Sequence, residues 1–142
     1  MRTLLNIIWF VFGGLWLALG YALAGVVFCV LIITIPLGVA SFRMARYALW
    51  PFGRALVQSP TRLRGLSAVG NVLWFVLAGW WLALAHILTG IALCLTIIGI
   101  PLGIADFKMA GAALVPFGRR IVRARELNAG MVAADSTIAF PD

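Results

Sequence analysis

Two stretches of the chain, residues 4–35 and 69–100, contain no Asp, Glu, Lys or Arg. Each is longer than the roughly 20 residues that carry one helix across a bilayer. Water has no place for so long a charge-free run, and the composition agrees. The chain is 64% apolar and 11% charged, with a mean hydropathy of +1.11, whereas a globular domain is about half apolar and a quarter charged. The chain therefore reads as an integral membrane protein, with the lipid bilayer as its first partner.

The two runs are copies of each other. Thr34-Ile35-Pro36-Leu37-Gly38-Val39-Ala40-Ser41-Phe42-Arg43-Met44-Ala45 returns as Gly99-Ile100-Pro101-Leu102-Gly103-Ile104-Ala105-Asp106-Phe107-Lys108-Met109-Ala110. The offset is 65 residues without a gap, and 28 of the 49 aligned positions between Asn6/Asn71 and Arg54/Arg119 are identical. The organisation that follows is a first repeat over 4–54, a cytoplasmic linker over 55–68, a second repeat over 69–120 and a cytoplasmic tail over 121–142. Arg2, the apolar start and Ala22-Leu23-Ala24 resemble a signal peptide. The same run built again in mid-chain marks it as architecture instead.

Charge sets the number of crossings. A single helix over 32 residues would reach about 48 Å, against a hydrocarbon core near 30 Å. Arg2 precedes the first run; Arg43, Arg46, Arg54, Arg62 and Arg64 lie between the runs; Lys108, Arg119, Arg120, Arg123 and Arg125 follow the second. Two crossings per repeat put all of these on one side, as the positive-inside rule favours. The expected fold is an all-α membrane protein of two tandem helical hairpins, about four transmembrane helices, with both termini cytoplasmic. The hairpin tips are expected where the runs are least apolar, at 20–25 and 85–90. That places Trp16, Trp80 and Trp81 near the outer interface and Trp9 and Trp74 deeper. The second helix of each repeat then meets Pro36 or Pro101 and is expected to kink there. Residues 39–50, with Phe42, Arg43, Arg46 and Trp50, have the composition of an interfacial amphipathic segment. Gly14, Ala18 and Ala22, with Gly79 and Ala83, line one helix face with small residues suited to close packing.

Several chemistries are excluded. The net charge is +7, but the basic residues flank apolar runs, so they read as orientation charge and not as a nucleic-acid surface. Cys29 and Cys94 occupy the same repeat position outside any CxxC pattern, as small buried apolar residues do. Neither a metal nor a cofactor is expected, since His86 and Cys94 have no third ligand. One histidine, no nucleophile motif and no carboxylate pair among Asp106, Glu126, Asp135 and Asp142 argue against an enzyme.

Four groups of residues are candidate sites. The Pro-x-Gly breaks, with Thr34, Pro36 and Gly38 and with Gly99, Pro101 and Gly103, read either as simple kinks or as freed carbonyls that hold ions at membrane depth. Asn6 and Asn71 read as caps or as a polar ring at an inner mouth. Arg43, Arg46 and Lys108 read as orientation charge or as contacts to anionic lipid or anions. His86 reads as an interface residue or a pH-sensing group.

The residues carry a resemblance. Asn71 with Trp74, Gly79-Trp80-Trp81, His86-Ile87-x-Thr89-Gly90-Ile91-Ala92, Ile97-Ile98-Gly99-Ile100-Pro101-x-Gly103-Ile104-Ala105-x-Phe107-Lys108 and Pro116-x-Gly118-Arg119-Arg120 resemble the YccF-type family of bacterial inner-membrane proteins. The first repeat diverges at Tyr21 for His86, Ser41 for Asp106 and Arg43 for Lys108, and Asp106 itself departs from the Asn usual in the family. The resemblance implies a multi-pass inner-membrane location and brings no activity or ligand residues with it. Two functions stay open. One is an ion channel or small-solute transporter working as a homo-oligomer. The other is a non-conducting accessory or scaffold subunit that packs on another membrane-protein subunit or organises lipid.

Overall fold

The computed structural model describes residues 2–59, 64–128 and 138–139. Arg62, the 60–63 part of the expected linker, Asp135 and Asp142 lie outside the described residues. The first helix, α1, runs over Arg2–Val30 as one rod, with a π-helical turn at Phe10–Gly14. A short 3-10 turn at Ile32–Thr34 leads into α2, Ile35–Leu49. The second repeat has the same plan: α3 over Gly65–Cys94, with its π-helical turn at Phe75–Gly79, and α4 over Ile100–Leu114. The fold is mostly helical, and three helical stretches, Arg2–Val30, Ile32–Leu49 and Gly65–Cys94, are long and apolar enough to cross a membrane.

Two expectations are corrected. The hairpin tips lie at 31–34 and 95–99, not at 20–25 and 85–90, because Tyr21 and His86 turn inward instead of toward water and interrupt nothing. The tips are almost wholly apolar, with Ile33 93% and Ile97 88% exposed. Their threonines serve the backbone. Thr34 Oγ1 donates to the Phe28 carbonyl at 2.8 Å, Thr96 Oγ1 donates to the Leu93 carbonyl at 3.0 Å, and Gly99 N–H donates to Thr96 Oγ1 at 3.0 Å. The second correction concerns the prolines. Pro36 and Pro101 sit in the first turn of α2 and α4 and kink neither helix. A first-turn residue needs no intrahelical N–H partner, and the fixed φ of proline suits it. The α-helices themselves begin after Ile32, Ile33, Ile97 and Ile98, so neither proline removes a bond from an α-helix interior.

The glycine of each Pro-x-Gly has a packing reason. A side-chain carbon at Gly38 would run into Cys29 Sγ and the Gly25 carbonyl, and one at Gly103 into Cys94 Sγ and the Gly90 carbonyl. Phe42 and Phe107 close over Gly25 and Gly90. Each hairpin is thus zipped tightly near its tip. Along residues 39–50 one face is buried through Ala40, Ser41, Met44, Ala45, Tyr47 and Ala48, and the other carries Phe42 and Arg46.

At the opposite end the chain makes strands that the periodicity did not announce. β1, Arg54–Gln58, pairs antiparallel with β2, Arg119–Arg123. β3, Ile138–Ala139, lies on the other edge of β1. A short helix, α5, Ala124–Asn128, follows β2. Leu56 faces Ile121, its own repeat equivalent. The bond from Ser59 N–H to the Gly118 carbonyl, 2.8 Å, is matched by that from Ala124 N–H to the Gly53 carbonyl, 3.0 Å. A local two-fold axis therefore passes between Leu56 and Ile121. The same axis passes between Tyr21 and His86, another equivalent pair in contact across the hairpins.

Candidate functional site

Three arrangements carry the polar chemistry of the molecule. The first is a pair of turn clamps. Arg54 N–H donates to the Pro51 carbonyl at 3.1 Å, and Gly53 has φ +89° in between, a left-handed conformation that glycine adopts freely. Asn6 reaches the buried backbone of that turn twice. Its Nδ2 donates to the Phe52 carbonyl and its Oδ1 accepts from Phe52 N–H, each at 3.1 Å. Asn71 does the same to Phe117, at 3.3 and 2.9 Å, and Gly118 has φ +78°. Beside each clamp an indole N–H answers an end-of-helix carbonyl that lacks an intrahelical partner. Trp9 donates to Ala48 at 2.6 Å and Trp74 to Ala113 at 2.7 Å. The π-helical turns bring Gly14 and Gly79 directly beneath these indoles. Asn6 and Asn71 thus have both polar ends engaged with the backbone.

The second arrangement lies on the axis. Tyr21 Oη and His86 Nε2 are 3.0 Å apart, His86 Nδ1 contacts Asp106 Oδ1, and Ser41 Oγ donates to the Tyr21 carbonyl. Ser41, His86 and Asp106 are fully buried, as is Tyr21. Asp106 Oδ2 has no hydrogen-bond partner among the described residues. Two pairs of repeat-equivalent positions, 21/86 and 41/106, have thus been filled with a hydroxyl set in one repeat and an ionisable set in the other. Ionisable groups at membrane depth are costly and mark function by default.

The third arrangement is a cavity of about 960 Å³ at the strand end of the first repeat. Val39, Phe42, Arg43 and Arg46 come from α2, Arg54 from β1, Arg120, Ile121, Val122 and Arg123 from β2, and Glu126 from α5. Five guanidinium groups face one carboxylate. Arg43 Nη2 also donates to the Pro116 carbonyl at 3.0 Å, tying the first repeat to the turn of the second. Arg54 Nη1 donates to the Arg46 carbonyl at 3.2 Å. Arg119, the equivalent of Arg54, is partly buried, and burial lowers its pKa from the ordinary guanidinium value. Lys108 stands exposed on α4 at the position matching Arg43.

The Pro-x-Gly residues Thr34, Pro36, Gly38, Gly99, Pro101 and Gly103 lie at the hairpin tips and the tight helix contacts, and they are not among the residues that line the cavity or form the axis cluster. Arg43 and Arg46 do come together, and the fold adds Arg54, Arg120 and Arg123, which sequence reasoning left as orientation charge. Tyr21 and Ser41 were also missed as site residues. Their signal was the co-located divergence of the two repeats at 21/86 and 41/106.

The model of the YccF inner membrane component domain matches this chain twice, over residues 4–54 and 69–119. The chain is 45% identical over 143 aligned positions to Inner membrane protein YccF of Escherichia coli (strain K12), covering 91% of this chain and 97% of that protein. It is equally similar to Inner membrane protein YccF of Shigella flexneri. This chain belongs to the YccF inner membrane component family. No solved structure matches it. Family membership makes it an inner-membrane protein with membrane-spanning helices. Both matched YccF segments hold a clamp, an indole lock and half of the axis cluster. Arg120, Arg123 and Glu126 of the cavity lie beyond the matched segments.

Proposed function

We propose that this YccF-family protein organises lipid, holding an anionic phospholipid of the cytoplasmic leaflet with its headgroup in the arginine cavity. The observation that carries this reading is the cavity itself, with five arginines and one glutamate below an apolar wall of Val39 and Phe42. The dimensions suit a lipid. The exposed line of α2, Ile35–Val39–Phe42, is apolar for about 17 Å before it reaches Arg46, close to half of the roughly 30 Å hydrocarbon thickness. One acyl chain fits beside that line and leaves its phosphate among the guanidinium groups, which bind phosphate as a planar fork. The arginines face the cytoplasm in this reading, with both termini on that side.

The test is lipid retention. Purified protein carrying Arg46→Gln and Arg120→Gln is compared with wild type by native mass spectrometry after equilibration with phosphatidylglycerol or phosphatidylcholine. These two side chains are chosen because Arg43 also supports the fold through Pro116. Wild type keeps the anionic lipid and the variant loses most of it, with affinity falling as salt rises. Equal retention of both lipids, or retention that ignores the two substitutions, overturns the proposal.

A second reading is an oligomeric channel or transporter. It is favoured by one observation, the ionisable His86–Asp106 pair inside the bundle. Flux through liposomes that hold the purified protein alone, lost on Asp106→Asn, would support it. Silent liposomes would leave the lipid reading in place.

A further inference from the structure

We infer that the bound lipid carries two phosphates joined through a glycerol, as cardiolipin does, one in the arginine cavity and one in a smaller cavity beside it. This rests on the lipid reading above and names the lipid. The smaller cavity, about 300 Å³, lies against the Asn6–Phe52 clamp. Arg2 from the start of α1, Arg54 from β1, Arg123 from β2 and Arg125 from α5 line it, together with the apolar ring of Trp50. Among the described residues no carboxylate lines it.

Arg54 and Arg123 line both cavities. They are also direct partners in the ladder, the first residue of β1 opposite the last of β2. Like charges directly opposite in an antiparallel pair destabilise it. Across the two cavities seven guanidinium groups face one carboxylate, Glu126. One phosphodiester brings a single negative charge and answers the pair from one side only. A phosphate in each cavity answers it from both. Arg54 spends one N–H on the Arg46 carbonyl, and a guanidinium has five, so donors remain for both phosphates. The spacer follows from this shared wall. Two phosphates joined through one oxygen cannot stand on opposite sides of a guanidinium, whereas two joined through a glycerol can.

The internal symmetry supplies a control. The two-fold axis carries the Arg54–Arg123 pair onto Arg119 and Gln58, where the like-charge contact is gone. Arg2 and Arg125 correspond in sequence to Ser67 and Pro60. The doubled arginines therefore occur at one end of the ladder only, the end that carries both cavities. A role in building the ladder would repeat in both halves.

The test is competition for the full-length protein in mild detergent, read by native mass spectrometry. Cardiolipin, phosphatidylglycerol and farnesyl diphosphate are offered in equimolar pairs. Once one phosphate of cardiolipin is held, the second binds intramolecularly, which raises affinity without new contacts. Wild type is expected to keep cardiolipin over phosphatidylglycerol by at least about tenfold, one per chain. Arg125→Gln, which alters the smaller cavity alone, lowers that ratio toward one. Lys108→Gln removes the same charge from outside both cavities and leaves the ratio as in wild type. Wild type that keeps cardiolipin and phosphatidylglycerol alike overturns this inference without needing a variant, and leaves the lipid reading in place. Protein that keeps neither overturns both. Farnesyl diphosphate kept over cardiolipin puts both phosphates in one cavity and overturns the inference. So does an equal fall in the two variants, which makes the preference one of net charge.

Discussion

Asn6→Ala tests whether the turn clamp holds the strand end of the molecule. Asn6 is 1% exposed, and both of its bonds end on the backbone of one residue, the N–H and C=O of Phe52, which is itself buried. Removing the amide strands a buried donor and a buried acceptor. Each costs about 1–3 kcal/mol, so the expected loss is about 3 kcal/mol in unfolding free energy. Asn71 makes the equivalent bonds to Phe117 but is half-buried. Water reaches part of that backbone, so Asn71→Ala should cost about 1 kcal/mol by the same reasoning. The two positions thus serve as controls for each other. The assay is denaturant unfolding in mild detergent followed by tryptophan emission. Trp9 and Trp74 suit it, because their rings lie 6.2 and 6.5 Å from Phe52 and Phe117. Asn6→Asp should be as damaging as alanine, since it keeps the acceptor but sets a carboxylate oxygen against the Phe52 carbonyl. Equal losses at positions 6 and 71, or a loss at Asn6 under about 0.5 kcal/mol, would refute the clamp, because burial then decides nothing.

Two further predictions follow from the packing. Gly103→Ala places its new carbon 2.6 Å from the Gly90 carbonyl and against Cys94 Sγ; it should cost about 1–3 kcal/mol by overpacking, and Cys94→Ala should recover only part of that in the same unfolding assay, because the carbonyl cannot move away. Combining Tyr21→His with Ser41→Asp puts two histidines and two acids on the axis and should collapse the yield of folded protein, whereas adding His86→Tyr and Asp106→Ser, which only exchanges the two sets between repeats, should restore it.

The repeat, the apolar runs and the one-sided charge made two helical hairpins readable from residues alone, and the structure has them. The tips were misplaced for a physical reason. A polar residue within an apolar run signals either water at a turn or a partner in the core. Tyr21 and His86 belong to the second kind, and only the three-dimensional arrangement shows that they meet. Pro36 and Pro101 were equally ambiguous, since proline breaks a helix interior but opens a helix well. The strands escaped because five-residue segments between apolar helices carry little periodicity. One clue was present: Arg54-Ala55-Leu56-Val57-Gln58 and Arg119-Arg120-Ile121-Val122-Arg123 keep the 65-residue offset, and a β pair across a two-fold axis needs such equivalent partners. The arginine cavity could not be read, because α2, β1, β2 and α5 converge on it from distant parts of the chain.

The internal symmetry separates what builds the molecule from what it uses. The frame is paired: Asn6 with Asn71, Trp9 with Trp74, Gly38 with Gly103, Gly53 with Gly118, each doing the same work in both repeats. The two candidate sites lie where the pairing fails. On the axis, hydroxyls at Tyr21 and Ser41 face ionisable groups at His86 and Asp106. Around the cavity, Arg46 corresponds to Gly111, Arg120 to Ala55 and Arg123 to Gln58. The place beside α4 that corresponds to the cavity therefore lacks four of its five guanidinium groups and keeps two cations, Lys108 and Arg119. Phosphate affinity gathered from several arginines falls steeply when most of them are removed. A protein with two nearly identical halves is thus expected to hold one headgroup per chain, and native mass spectra showing two equally retained anionic lipids would place the binding on the shared frame instead.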